Sequence, residues 1–319
     1  MFIGIDLGGT NIKGILTDNT GKELSYKETT TPESNDEIET EINLLVEQLA
    51  TSASVSKIDI KAIGIGAAGS IDRNKGVIVT SPNINALKNY PITKNIEKQL
   101  GAKVFLENDA TVAVAGGWWK GEGNKFRNWI MLTLGTGIGG GIIIDNKIYT
   151  GQSGSSMEVG HMTIDFNGKK CSCGNLGCFE QYASATALTN LVKQNMKKNT
   201  KTSIKERIKN EELTSKLVYE EALKGDEFAK KSFEEIATFL GIGISNLINI
   251  FNPEAIIFVG GLSEGHKLLF PTIKKVIGNR SLPGLKENFK LIPQKDQSKI
   301  TALGAVKVAI DSFNAIEQA

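Results

Sequence analysis

Phe2-Ile3-Gly4-Ile5-Asp6-Leu7-Gly8-Gly9-Thr10-Asn11-Ile12-Lys13-Gly14-Ile15-Leu16-Thr17 stands at the head of the chain. Its plan returns in the second half as Trp129-Ile130-Met131-Leu132-Thr133-Leu134-Gly135-Thr136-Gly137-Ile138-Gly139-Gly140-Gly141-Ile142-Ile143-Ile144. In both, an apolar run gives way to a glycine-rich turn and then resumes, which reads as strand, tight turn, strand. Amphipathic helical stretches and short apolar strands follow each pair. The first half predicts a helix near 36–49, a strand at 62–66, a helix near 92–100, a strand at 104–106 and a helix over 110–119. The second half predicts helices across 180–196, 215–224 and 227–249, a strand at 255–259 and a last helix over about 302–313. Strand-rich openings followed by this alternation predict an α/β architecture, here duplicated. Residues 193–212, rich in Lys and Asn, are expected to be exposed.

A chain of 319 residues has room for two domains of the usual size, about 100–200 residues each. With 40% hydrophobic and 23% charged residues it has the make-up of an ordinary globular protein. Its 37 basic and 35 acidic side chains nearly cancel, and the lysines are spread along the chain, so no nucleic-acid partner is expected. No apolar run approaches the ~20 residues needed to cross a bilayer, and the opening residues lack a secretory pattern. The expectation is a cytoplasmic protein without a membrane partner.

Adjacent glycines let backbone N–H groups approach an anion without interference from a Cβ, and a nearby hydroxyl or ammonium adds donors. Gly8, Gly9, Thr10, Asn11 and Lys13 carry that equipment in one turn; Gly135, Thr136 and Gly137 carry it in the other. Neither turn is a Walker loop or a G-x-G-x-x-G dinucleotide loop, and either could simply close a hairpin. A third glycine pair, Gly260-Gly261 after the strand at 255–259, suits the flat face of an adenosine or a plain strand-ending turn.

Phosphoryl transfer to a hydroxyl requires charge neutralisation, positioning and a proton acceptor. Asp109, at the end of an apolar strand in Glu107-Asn108-Asp109-Ala110, is placed to be that base, or else to cap the helix that follows it. Glu107 is expected to give structural support. Trp118 and Trp119 are expected to pack in the core, and His266 to sit in a solvated loop.

All three cysteines and one of the two histidines fall within residues 161–178: His161, Cys171, Cys173 and Cys178. Three thiolates and an imidazole match the closed tetrahedral shell of a structural Zn²⁺, with glycines 168, 174 and 177 letting a short loop wrap the ion. Buried or oxidised thiols are the other use of such residues. An odd cysteine number in an intracellular chain argues against a disulfide framework.

Taken together, Asp-Leu-Gly-Gly-Thr-Asn, Glu-Asn-Asp-Ala, Leu-Gly-Thr-Gly-Ile-Gly-Gly-Gly, Glu158-Val159-Gly160-His161 and Cys-x-Cys-Gly-Asn-x-Gly-Cys-x-Glu180 closely resemble the ROK family of sugar kinases and regulators, in order and spacing, from Ile3 to about Gly304. The resemblance implies an actin-like, ribonuclease H-like or hexokinase-type fold of two lobes with an interlobe cleft. The small lobe would comprise 1–112 completed by 304–319, and the large lobe 113–303. It implies ATP-dependent phosphorylation of a hexose at the 6-hydroxyl, glucose first, with N-acetylmannosamine, N-acetylglucosamine, fructose or mannose as alternatives. Asp109 would be the base. Asn108, Glu158, His161 and Glu180 would hold sugar hydroxyls, with Gly69 and Asn83 lining the same pocket, and His161 would also serve the zinc. ATP would bring Mg²⁺, with Asp6 the nearest protein group, and the protein would form a homodimer or higher oligomer. The family's regulators carry a helix-turn-helix segment ahead of the first glycine turn, so a kinase is expected over a regulator. Two segments depart from the family pattern: Ala68 stands where a Pro is usual, and Asn85-Ala86-Leu87 where Pro-Gly-Trp is common. Both leave the choice of sugar open.

Overall fold

Two five-stranded sheets with the same strand order organise the computed structural model, which describes residues 1–81, 84, 86–152 and 156–318. The first sheet is built from β1 (Phe2–Leu7), β2 (Asn11–Thr17), β3 (Glu23–Thr30), β4 (Ala62–Ala67) and β8 (Lys103–Asn108), in the order β3-β2-β1-β4-β8. β5 (Ser70–Asp72), β6 (Val77–Thr80) and β7 (Lys88–Tyr90) form a small antiparallel sheet beside it. The helices of this part are α1 (Asn35–Ser52), α2 (Ile92–Leu100) and α3 (Asp109–Trp119). The second large sheet runs β11-β10-β9-β12-β13, with β9 (Trp129–Leu134), β10 (Ile138–Ile144), β11 (Lys147–Ile148), β12 (Ala255–Val259) and β13 (Lys290–Pro293). Its helices are α4 (Glu180–Ala183), α5 (Ala185–Asn195), α6 (Ile204–Arg207), α7 (Ser215–Leu223), α8 (Glu227–Phe251) and α9 (His266–Arg280); α10 (Gln297–Glu317) ends the chain.

Each sheet pairs an antiparallel hairpin with parallel strands reached through helices. β1 is antiparallel to β2 and parallel to β4, and β9 is antiparallel to β10 and parallel to β12. Parallel strands are covered on both faces, which is why β4 and β12 are buried along their whole length. In α1 the buried residues Ile38, Ile42, Leu45, Val46 and Leu49 recur at helical spacing. Ser34 caps that helix by accepting from the Glu37 backbone N–H and donates its hydroxyl to the Glu37 carboxylate, which fixes where the helix starts.

Contacts divide the chain into two compact units, one comprising 1–125, 147–155 and 295–319, the other 126–146 and 156–294. The sequence expectation put these boundaries at 112 and 304, and the shift has a structural cause. α3 crosses α10 so closely that a methyl group on Gly304 would lie 1.6 Å from the Val112 carbonyl oxygen, and one on Gly116 would lie 2.0 Å from that of Ile300. Both helices therefore belong whole to the first unit.

Several local expectations change. The helix expected over 180–196 breaks at Ser184, whose hydroxyl accepts from the Ala187 N–H to start α5. The stretch 193–212 is mostly exposed, as expected, but it also holds α6, with Ile204 fully buried and Arg207 clamped to Glu211, Glu220 and Glu221. His266 does not sit in a solvated loop: it is the first residue of α9, its ring centroid 5.6 Å from that of Phe270. Trp119 is half-buried against the apolar cluster that contains Phe2, Ile15 and Val306, and Trp118 is half-buried too, with the Lys307 ammonium 5.6 Å from its ring. Among the described residues no helix is long and apolar enough to cross a membrane.

Candidate active site and metal cluster

In the first unit the candidate residues lie at the carboxyl ends of three neighbouring parallel strands, the position where open α/β sheets bind ligands. Gly8 and Gly9 follow β1, Gly69 follows β4, and Asn108 ends β8 next to Asp109. The β1–β2 turn is a closed hairpin in which the Gly8 N–H donates to the Asn11 carbonyl at 3.1 Å. Thr31 holds it from outside: its hydroxyl donates to the Gly8 carbonyl at 2.7 Å and its N–H to that of Thr10 at 2.8 Å. Asn11 donates one Nδ2 hydrogen to Glu28 at 2.7 Å, while Gly9 and Thr10 remain exposed.

Asn108, not Asp109, caps α3. Its Oδ1 accepts from the N–H groups of Ala110 at 2.9 Å and Thr111 at 3.4 Å, and its Nδ2 donates to the Gly69 carbonyl at 3.2 Å. Asp109 is the first helical residue, with its own Oδ1 accepting from the Ala110 N–H at 2.9 Å. Behind them Glu107 is buried, pairs with Arg73 at 2.7 Å and accepts from the Asn108 N–H at 2.8 Å. Desolvation still raises its carboxyl above the usual range, against the backbone bond and Arg73. It is a support, as its sequence position suggested. Arg73 was missed because it lies 34 residues away, with no local pattern to mark it.

Asp6 pairs across the hairpin with Lys13. Burial pushes the Asp6 carboxyl up to about 6; Lys13 pulls it down, and the negative charges of Asp109 and Glu28 push it up again. A carboxylate whose proton affinity is raised by a second carboxylate, beside a turn with exposed residues, suits a divalent cation.

In the second unit, Gly135, Thr136 and Gly137 follow β9, and Gly260 and Gly261 follow its parallel neighbour β12. Gly260 has φ +98°, and a methyl group there would lie 2.6 Å from the Leu134 carbonyl oxygen. Both turns thus leave the sheet at one edge. Gly135 donates to the Gly137 carbonyl at 3.1 Å, and the Gly135 carbonyl accepts from Ala185 N–H at 2.9 Å. Glu158 is exposed and precedes the single 3-10 turn Val159–His161.

His161, Cys171, Cys173 and Cys178 come together as expected, their ligand atoms all within 4.8 Å of one another. His161 Nδ1 lies 3.7 Å from Cys171 Sγ, and the sulfurs of Cys173 and Cys178 lie 3.6 Å apart. A tetrahedral ion with metal–sulfur and metal–nitrogen bonds of about 2.3 and 2.0 Å would set such edges at about 3.5–3.8 Å. The loop is shaped for this: a methyl group on Gly177, at φ +71°, would lie 1.6 Å from the Asp165 carbonyl oxygen. Burial and the two neighbouring thiols push the Cys178 thiol up to about 12. Only a bound cation makes three thiolates tolerable in one place.

Around this set stand Glu180 and Gln181. Glu180 Oε1 lies 3.3 Å from Cys171 Sγ and 3.7 Å from His161 Nδ1, and Gln181 Nε2 lies 3.6 Å from Cys171 Sγ. Gln181 escaped the sequence reading, although its place three residues after Cys178 marks it. Asn83 lies outside the described residues.

Comparison with known proteins fits this arrangement. The ROK family profile matches residues 2–312. The chain belongs to the ROK family. A glucokinase of Thermotoga maritima is 33% identical over 307 residues, 96% of each protein. A xylose repressor of Caldicellulosiruptor bescii is likewise 33% identical over 314 residues, which cover 98% of this chain and 78% of the repressor. The crystal structure of a ROK family glucokinase from Streptomyces griseus in complex with glucose and AMPPNP superposes with a TM-score of 0.80 at 31% identity, covering 97% of this chain and 99% of that one. The duplicated strand order is accordingly the two-lobed, actin-like fold of ROK sugar kinases.

Proposed function

We propose that the protein is an ATP-dependent sugar kinase that transfers the γ-phosphoryl group of ATP to the 6-hydroxyl of glucose. The observation that carries this reading is the construction around Asn108 and Asp109: a carboxylate at the end of a parallel strand, flanked by the Asn108 cap and the part-buried Arg73–Glu107 pair, its charge raising the pKa of Asp6. In the reaction Asp109 accepts the hydroxyl proton as the sugar oxygen bonds to the γ-phosphorus and the bond to the departing ADP oxygen breaks. Asn108 has one Nδ2 hydrogen left after capping α3 and bonding Gly69, and that hydrogen serves a sugar hydroxyl. Glu158, His161 and Glu180 supply further hydroxyl contacts.

Gly8, Gly9, Thr10, Asn11 and Lys13 form one phosphate-binding turn of this reading, and Gly135, Thr136 and Gly137 form the other. Gly260 and Gly261 attend the adenosine. Mg²⁺, when bound, neutralises charge on the β and γ oxygens, and Asp6 is the carboxylate suited to it. Zn²⁺ is the ion proposed for the Cys₃His cluster, where no position is left for water and its role is structural.

The test is ADP release measured with glucose, mannose, fructose, N-acetylglucosamine and N-acetylmannosamine. Fastest turnover with glucose supports the assignment; preference for an N-acetylhexosamine moves the substrate but keeps the reaction. The xylose repressor relative gives the competing reading, a sugar-responsive regulator. Sugar binding without ADP release from any of the five sugars would establish that reading instead.

A further inference from the structure

Glu180 touches two parts of the second unit that the proposed function treats separately. One carboxylate oxygen stands against the metal donors, 3.3 Å from Cys171 Sγ and 3.7 Å from His161 Nδ1. The other occupies the space beside Gly137, where a methyl group would lie 2.5 Å from Oε2 with no atom beyond the Glu180 carboxyl within 4 Å. Glu180 is thus the neighbour that a methyl group at 137 would have to displace. Five residues on, Ala185 N–H bonds the Gly135 carbonyl at 2.9 Å, so α4 and the turn after it hold the Gly135–Gly137 turn at both ends. That same segment starts directly after the metal donor Cys178, and Phe179 N–H ties it to the Met162 carbonyl at 2.9 Å, beside His161. Gly160 closes the set: a methyl group there would lie 2.1 Å from the Ile138 carbonyl oxygen, at the start of β10, and 3.5 Å from Glu180 Cβ.

We propose that Glu180 is a positioning residue that couples occupancy of the Cys₃His cluster to the phosphate affinity of the Gly135–Gly137 turn, so that the metal ion is a positive effector of nucleotide binding. The proposal rests on the reading of that turn as a phosphate site. With the ion in place, the donors fix the start of α4, and Glu180 with Ala185 keeps the turn in its anion-binding shape. Without it, the strap between Cys178 and Ala185 loosens and the turn loses its props. Coupling of this kind is reciprocal: nucleotide must tighten the metal by the same factor as metal tightens the nucleotide.

The experiment measures Mg²⁺-AMPPNP binding calorimetrically without sugar, on the full chain loaded with zinc and after chelation, and zinc affinity by competition with a chromophoric chelator with and without AMPPNP. Coupling of at least about fivefold in both directions is expected in the wild type. It should vanish in Glu180→Ala and persist in reduced form in Glu180→Gln, which keeps the shape. In zinc-loaded Gly137→Ala the added methyl displaces the carboxylate toward Cys171, so zinc should dissociate several-fold faster, and Glu180→Ala in the same chain should abolish that effect. Failure of AMPPNP to bind the zinc-loaded wild type would overturn the phosphate assignment itself. Binding unaffected by zinc, or coupling unchanged in Glu180→Ala, would overturn the proposal and leave that assignment standing. Should chelation unfold the chain, zinc release from Gly137→Ala at the wild-type rate decides against it.

Discussion

A half-buried carboxylate beside a second carboxylate is held in the fold at a cost that a cation can offset, and Asp6 is in that position. Its folded pKa of about 6 lies above the ordinary aspartate value. Between those two values the folded chain binds more protons than the unfolded one, so stability falls as pH rises through the window from about 4 to 6. Asp6→Asn should therefore raise the Tm of the ligand-free protein at pH 8 and change it little at pH 4, read by thermal scans at both values. An equal shift at both would remove Asp6 as the cause. The same substitution should weaken Mg²⁺-nucleotide binding. At Asp109 the expectation is different in kind. Asp109→Asn preserves the size of a side chain at the start of α3 and removes its basicity, so kcat should fall by about 10²–10⁴-fold while sugar binding, measured calorimetrically, survives. Loss of sugar affinity with kcat intact would give Asp109 a binding role instead. Local sequence left open whether Asp109 acts as base or as cap. The structure supplies what sequence could not, a different residue, Asn108, already in the cap.

At the scale of elements, legibility follows the source of the order. β1, β2, β9, β10 and β12 declare themselves because long apolar runs interrupted by glycine have few other uses, and α2 and α8 because their apolar positions keep helical period. The candidate metal donors were equally plain, since rare residue types collect in one loop. β5, β6 and β7 are three or four residues long and held by pairing with one another, which no single stretch reveals. α9 was overlooked because its mixed composition and Pro271 mask the helical period. The reach of α10, from 297 instead of 302, is set by its crossing with α3, a contact between residues nearly two hundred positions apart. That crossing makes a sharp prediction. Gly304→Ala would drive a methyl group into the Val112 backbone carbonyl, which no rotamer change relieves, and should cost about 1–3 kcal/mol or more. Gly278→Ala, inside α9 with open space around the added carbon, should gain up to about 1 kcal/mol from helix propensity. Denaturant midpoints of the two variants should move in opposite directions; a shared direction would mean that the α3–α10 approach is looser than described.

For the molecule as a whole, the two large apolar cores lie one in each unit, with a smaller cluster around Phe2, Ile15 and Val306 in the first, so stability is built twice. One core lies under β1, β4, α1 and α2, and the other gathers β9, β10, β12 and helices α5, α7, α8 and α9. The Cys₃His cluster belongs to the second unit only, and its loop has no helix or strand between residues 162 and 179, only two isolated bridges, Thr163 to Cys178 and Lys170 to Leu176, and turn bonds such as Cys171 N–H to the Asn175 carbonyl. So little regular structure leaves the fold of that loop dependent on the ion, as in small metal-organised domains. Chelation, or Cys173→Ser, should therefore raise amide hydrogen exchange across residues 161–185 by an order of magnitude or more, with the rise spreading into α5 through the Ser184 cap, while β1, β4 and β8 keep their protection. Exchange is the right measure because it reports each segment's own opening, where a single melting temperature would blend both cores. Uniform loss of protection over both sheets would show the ion stabilising the entire chain. No change anywhere would show a loop that needs no metal, and would return Cys171, Cys173 and Cys178 to the status of three neighbouring thiols.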